Sequence, residues 1–237
     1  MAYSSRFRDK GLDTFHHVIM RGSRGLKIIE TDTDRWDFLK LLFYLNDTFK
    51  YSQWERDLKQ HQCRLFDRPT DWPEREPLVR LSAFCLHDNH FHLLVKEIRE
   101  GGLSEFMQRL PNSMTKRYNK NYDGSGSIFQ SSYQSRLIDS DADLMNVALY
   151  IMVKNVFERY PGGLKKAISE FNQAYKWALG DPFSSFAEYA TDRRFALIDK
   201  DLLTEYFPNP KEFKNQAREY VSWRGEREES IKDFLLE

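Results

Sequence analysis

Apolar positions in this chain alternate between two spacings, and the alternation predicts a mixed architecture. FHHVIMR (15–21) is short and apolar and reads as a strand, broken by the glycines at 22–25. Trp36, Phe38, Leu39, Leu42, Phe43 and Leu45 then recur at helical spacing, with Thr33 or Asp34 placed to cap a helix that runs to about Asn46. Residues 47–77 are charged and proline-bearing, and read as an insertion with some helix. LVRLSAFCL (78–86) and HFHLLVK (90–96) read as a hairpin turned at Asp88-Asn89, two residue types that tolerate positive φ. Leu103, Phe106, Met107, Leu110 and Met114 predict a helix over 103–121, kinked or divided at Pro111. IFQSSYQSRLI (128–138) reads as a strand. Ser140 and Asp143 form a capping-box pattern before a third helix, about 142–160, which Pro161-Gly-Gly stops.

The order β-α-β-β-α-β-α predicts an α+β fold. It is a ferredoxin-like core with a central antiparallel sheet flanked by helices, plus a C-terminal helical extension. Residues 1–160 are expected to form the main domain, with 47–77 inserted, and 161–237 a mainly helical addition.

Composition narrows the function classes. No long apolar run predicts a membrane span, and the first residues, MAYSSRFRDKGLD, lack an apolar leader. Two cysteines, Cys63 and Cys85, make no disulfide framework, so a reducing cytoplasm is the expected compartment. Formal net charge is zero, which argues mildly against nucleic acid, but residues 183–237 hold more acid than base. Basic clusters stand elsewhere: Arg21, Arg24 and Lys27, and then Arg109, Lys116, Arg117 and Lys120. Each is read as a nucleic-acid contact only if a catalytic site lies beside it, since charged helix faces are usually just solvated.

His90-Phe91-His92 supplies that candidate site. Residues two apart on a strand point the same way, roughly 6.5–7 Å apart at Cα. Two imidazoles so placed can converge on one divalent ion, with other ligands from a further side chain, water or a substrate phosphate. Phe91, Leu93 and Val95 face the other way, toward packed helices. A zinc site from His61, Cys63, Cys85 and His87 is a weaker alternative. On the third helix Asn146, Tyr150 and Lys154 form a polar stripe beside Leu144, Val147, Ala148 and Ile151, which puts Tyr150 at the border of the packed face. A helical tyrosine there is either a core-edge residue or a nucleophile toward phosphate.

These segments resemble the HUH single-tyrosine transposases, most closely the REP-associated tyrosine transposases. FHHVIMRGSRG looks like that family's YHV-x-x-RG opening and LHDNHFHLLV like its MPNHVHLLV. MQRLPNSMTKRYNKNYDGSGSIFQSSYQSRLI matches the helix, turn and strand that follow. DADLMNVALYIMVKNVF stands in place of the RYIHLNPV helix, and FSSFAEY looks like a later W-SSY element. The resemblance runs from about Phe15 to Tyr189. It implies a nuclease-transposase that cuts and rejoins single-stranded DNA beside hairpins through a 5′-phosphotyrosine. It assigns His90 and His92 to a Mg²⁺ or Mn²⁺ ion and Tyr150 to the attack, in a monomer or homodimer. The family's Asn or Gln four residues after the tyrosine is Lys154 here. Asn155 is then the candidate to complete the metal site, and Lys154 a candidate DNA contact. Two other readings stay open: a hairpin-binding protein with little catalysis, and a metal-dependent hydrolase with Tyr150 structural.

Overall fold

The computed structural model describes residues 12–225. Residues 1–11, within the N-terminal stretch expected to lack an apolar leader, and everything after 225 lie outside the described residues. Four strands, β1 (Thr14–Arg21), β2 (Val79–Leu86), β3 (His90–Glu97) and β4 (Gln134–Ile138), form one antiparallel sheet in the order β2-β3-β1-β4. The sheet and its flanking helices are those expected from the alternating spacing.

Registers assign the two faces, because residues directly opposite in an antiparallel pair point the same way. His17 pairs with Leu94 and Arg136, Ile19 with His92, Arg21 with His90, and Cys85 with His92. These residues share one face. Phe84, Leu86, Phe91, Leu93 and Val95 lie on the other, against α1 (Asp32–Tyr44) and α3 (Gly102–Asn121). The side chains of Phe38, Leu39, Leu42, Phe106 and Leu110 complete that layer.

The histidine face is covered too. Helix α4 (Asp141–Leu149), a π-turn (Tyr150–Lys154) and α5 (Asn155–Glu158) pack over Phe15, Ala83, Cys85, Leu94 and Ile138. Further helices, α6 (Gly163–Ser169), α7 (Phe171–Ala178), α8 (Phe186–Ala190), α9 (Leu203–Tyr206) and α10 (Pro210–Gly225), extend the same core through Phe171, Tyr175, Phe186 and Phe213. Residues 183–199 also occupy the outer edge of β2. Leu86 N–H donates to Phe183 O, Ser185 N–H to Phe84 O and Asp199 N–H to Leu81 O.

Several local expectations change. Thr31, not Thr33 or Asp34, caps α1: its hydroxyl accepts from Asp34 N–H while the Asp34 carboxylate takes the Thr31 N–H, a complete capping box. Helix α3 runs through Pro111 undivided, because Leu103, Phe106, Met107, Leu110 and Met114 are all buried on one side and outweigh one lost backbone bond. Strand β4 is shorter than 128–138, with only Phe129 bridging to Gly22 before it. The insertion holds one helix, α2 (Trp54–Gln60). Asp88 and Asn89 turn the hairpin without positive φ. Their carbonyls are instead held by the β1 loop, Asn89 O by Gly22 N–H and Asp88 O by Ile28 and Ile29 N–H. A Cβ on Gly22 would stand 2.0 Å from Leu26 O, so that loop can close on the hairpin only with glycine there.

Candidate active site

The register of β1 and β3 gathers an imidazole cluster on the covered face. His90 and His92 have ring centroids 5.0 Å apart at 83°. His87, just beyond β2, stacks on His90 at 4.2 Å and 10°. His17, from the middle of β1, lies with its Nε2 3.0 Å from His92 Nδ1. The Tyr150 ring stands edge-on to both, 5.4 Å from His92 and 5.8 Å from His17. The two histidines and the tyrosine singled out in the sequence thus meet, although His92 and Tyr150 stand 58 positions apart in the chain.

Burial holds three of these imidazoles, His17, His87 and His92, below their ordinary pKa. His17 is 0% exposed, and burial, with Arg136 on the adjacent strand, lowers its pKa to about 3. His92 is held well below the ordinary imidazole value by burial and then by His17, His90, His87 and Lys154. His87 is lowered to about 2 by burial, then by His90 and the cations Arg159, Lys154 and Arg21. A neutral imidazole keeps a lone pair on one ring nitrogen, which is what ligation requires. The three cations round His87 make the same spot electropositive. Beside it lies a cleft of ≈ 690 Å³ lined by Lys27, Arg35, His87, Asn89, Arg159 and Trp177, among others.

Tyr150 is not at a border. It is 1% exposed, with Lys154 Nζ 4.8 Å and Arg224 Cζ 5.0 Å from its ring centroid. The stripe of Asn146, Tyr150 and Lys154 presumed a regular α-helix, and the helix is not regular here. Asn155 N–H bonds to Tyr150 O, an i→i+5 ladder step. In an α-helix the residue four on sits about 40° round from the first. A turn widened by one residue hands that place to the fifth. Asn155 therefore takes the angular position that Lys154 would have held. It is 1% exposed, and among the described residues neither Oδ1 nor Nδ2 of its amide has a hydrogen-bond partner. Lys154 pairs with Glu158 at 2.9 Å.

The remaining candidates divide between the two faces. Arg21 is exposed on the histidine side, opposite His90 in the register, and Arg24 and Lys27 are exposed on the following loop. Arg109, Lys116, Arg117 and Lys120 belong to α3 and so to the opposite layer. Arg109 bonds Leu45 O, Asp47 O and Glu105, while Arg117 bonds Asp37 and Glu55, so both tie the insertion and α1 to α3. Lys116 and Lys120 are exposed there. His17, Arg159 and the role of His87 beside His90 escaped the sequence reading. A hint for His17 was a histidine in an otherwise apolar strand segment. The zinc alternative does not assemble: among the described residues no group of three or more His, Cys, Asp or Glu is placed to hold a metal ion. Cys85 is fully buried, which pushes its thiol up to about 12, and Cys63 lines a separate cleft with Trp54 and Arg117.

No curated protein matches this chain. A solved structure described as a REP-associated tyrosine transposase bound to a REP hairpin aligns with 84% of this chain and 98% of that one, at 12% identity and a TM-score of 0.38. Residues 74–154, which carry the hairpin with His90 and His92, helix α3, strand β4 and Tyr150, match the family described as Transposase IS200 like.

Proposed function

We propose that the protein is a transposase-like enzyme that nicks and rejoins single-stranded DNA near hairpins, with Tyr150 as nucleophile. One observation carries this reading: the Tyr150 ring packs edge-on against His92, 5.4 Å away, inside the segment that matches the transposase family. His90 and His92 fit a divalent ion as two imidazole donors, and the Asn155 amide on the widened turn, unpartnered among the described residues, offers an oxygen as the third. A Mg²⁺ or Mn²⁺ ion bound there would supply charge withdrawal from the scissile phosphate.

The residues of the chain do the rest. Arg21, Lys154 and Arg159 make the surroundings of His87 and His90 attractive to a phosphodiester. Exposed Arg24 and Lys27 extend that field along the β1 loop, and Trp177 lends a ring on which an unpaired base can stack. The Tyr150 phenol gives up its proton as its oxygen bonds to phosphorus. The P–O3′ bond breaks, and the leaving 3′-oxygen takes up a proton to become a hydroxyl. The 5′-phosphate then remains on the tyrosine. A 3′-hydroxyl attacking that phosphotyrosine reverses the exchange, so strands are rejoined without a nucleotide cofactor.

The experiment is incubation with a labelled single-stranded oligonucleotide carrying a hairpin, with Mn²⁺ or Mg²⁺. A denaturant-resistant adduct is expected with the wild type and none with Tyr150→Phe. An adduct that persists in Tyr150→Phe would refute the nucleophile. Nicking without an adduct, kept in Tyr150→Phe but lost in His90→Ala, would point to hydrolysis by water. A second reading, a hairpin-binding protein with little catalysis, is favoured by the burial of Tyr150 beneath Lys154 and Arg224. Retarded migration of the hairpin without cleavage under any divalent ion supports it.

A further inference from the structure

We propose that His17 is a positioning residue for this site: its Nε2 accepts the Nδ1–H of His92 and so fixes the tautomer of His92 whose Nε2 lone pair can hold a metal ion. The inference rests on the metal-assisted reading above and assigns a part to a residue that has none in it.

The geometry is closed on all sides. His17 is 0% and His92 1% exposed, and their rings stack at 5.2 Å and 22° with the two nitrogens 3.0 Å apart. Two imidazole nitrogens 3.0 Å apart share a single proton, so one ring donates and the other accepts. Were His17 the donor, His92 would carry its own proton on Nε2 and lose the only nitrogen left for ligation. With His17 as acceptor, the His92 Nε2 lone pair is free of its proton by construction. The proton of His17 then sits on Nδ1, the atom that is buried without a hydrogen-bond partner. An orphan of this kind is destabilising, and a phenylalanine in β1 would avoid it, so the ring is accounted for by what its other nitrogen does.

Hydrogen-bonding partners that orient ligand histidines typically change metal affinity by about 10–100-fold when removed. The test has two independent arms. Long-range ¹⁵N–¹H correlation on the metal-free full-length protein at pH 7 reads the tautomers directly. His92 is expected protonated on Nδ1 and bare on Nε2, and the opposite pattern overturns the proposal. Mn²⁺ titration, followed by electron paramagnetic resonance, then compares wild type, His17→Phe and His17→Gln, with folding checked by circular dichroism. His17→Phe is expected to weaken Mn²⁺ binding by about 10-fold or more, and His17→Gln, which keeps an acceptor oxygen, to restore most of it. Unchanged affinity in folded His17→Phe, or equal loss in both variants, overturns the positioning role. If His17→Phe does not fold, His17→Gln and the tautomer spectrum decide. Absence of Mn²⁺ binding by the wild type sinks the metal-assisted reading instead, and the spectrum alone then decides for His17.

Discussion

Replacing Asn155 by leucine separates the two consequences of the widened turn. The Asn155 amide is 1% exposed and neither of its polar atoms is hydrogen-bonded. Substitution data put the cost of burying an unpaired amide at roughly 1–3 kcal/mol. Leucine is of similar size, and its neighbours Val156 and Phe157 are fully buried, so the site is already apolar in character. Some of the gain is given back to the different branching. Metal-free Asn155→Leu is therefore expected to be more stable than wild type by about 1–2 kcal/mol. For a chain of this size that is a rise of roughly 2–8 °C in melting temperature. Mn²⁺ should narrow or invert the order. A ligand present at 100 times its Kd stabilises the protein that binds it by about 2.7 kcal/mol, and the variant lacks one donor. The assay is differential scanning calorimetry of both proteins in EDTA and at matched Mn²⁺ concentrations. A variant less stable than wild type in EDTA would mean that the amide is satisfied after all. A Mn²⁺ increment equal to that of wild type would remove Asn155 from the metal site.

Three other outcomes are expected. The folded pKa values of His17 and His87, about 3 and about 2, lie below the unfolded value of 6.5, so the neutral rings favour folding fully above pH 6.5 and lose that contribution as pH falls. Melting temperature should drop as pH goes from 7 to 4, and less so in His17→Phe; a flat profile contradicts the burial argument. Arg21→Ala should weaken single-strand binding and reduce its salt slope by about 1, whereas Arg117→Ala should lower melting temperature with little change in that slope. The reverse pattern, read by fluorescence anisotropy and thermal melts, would place the DNA on the α3 side. A chain ended after Gly180 loses the residues that pair with β2 and should elute as aggregate in gel filtration, since an open edge recruits other strands; a soluble monomer would show the edge to be harmless.

The hairpin bearing His90 and His92 was legible because strand periodicity and the turn residues agreed. The meeting of that pair with Tyr150 followed from the family resemblance and was not visible in spacing. Other features depend on packing partners that local pattern does not carry. The i→i+5 step at Tyr150 leaves no mark in composition, since Tyr150 to Asn155 suits an ordinary helix. The sequence offered Asn155 as a substitute ligand through a small helix rotation, with nothing to indicate a widened turn. Arg109 and Arg117 read as DNA contacts in a basic cluster, whereas in the fold they bond the insertion and α1 through Asp37, Asp47 and Glu55. His17 was hidden by its neighbour, because in a pair of adjacent histidines only the register with β3 tells which one faces inward.

The widened turn also bears on how this helix came about. A step from four to five residues is what a single inserted codon leaves in a helix whose two ends are already pinned by packing. Before residue 150 the helix keeps the ordinary frame, and after 154 it keeps it again, displaced by one. A comparison with relatives that lack the extra residue would therefore carry a one-position gap between Tyr150 and Asn155. On a frame displaced by one, Asn155 stands where an ordinary helix would put the fourth residue after the tyrosine. Deleting one residue from 151–153 should return the helix to its ordinary ladder with Asn155 still facing the tyrosine.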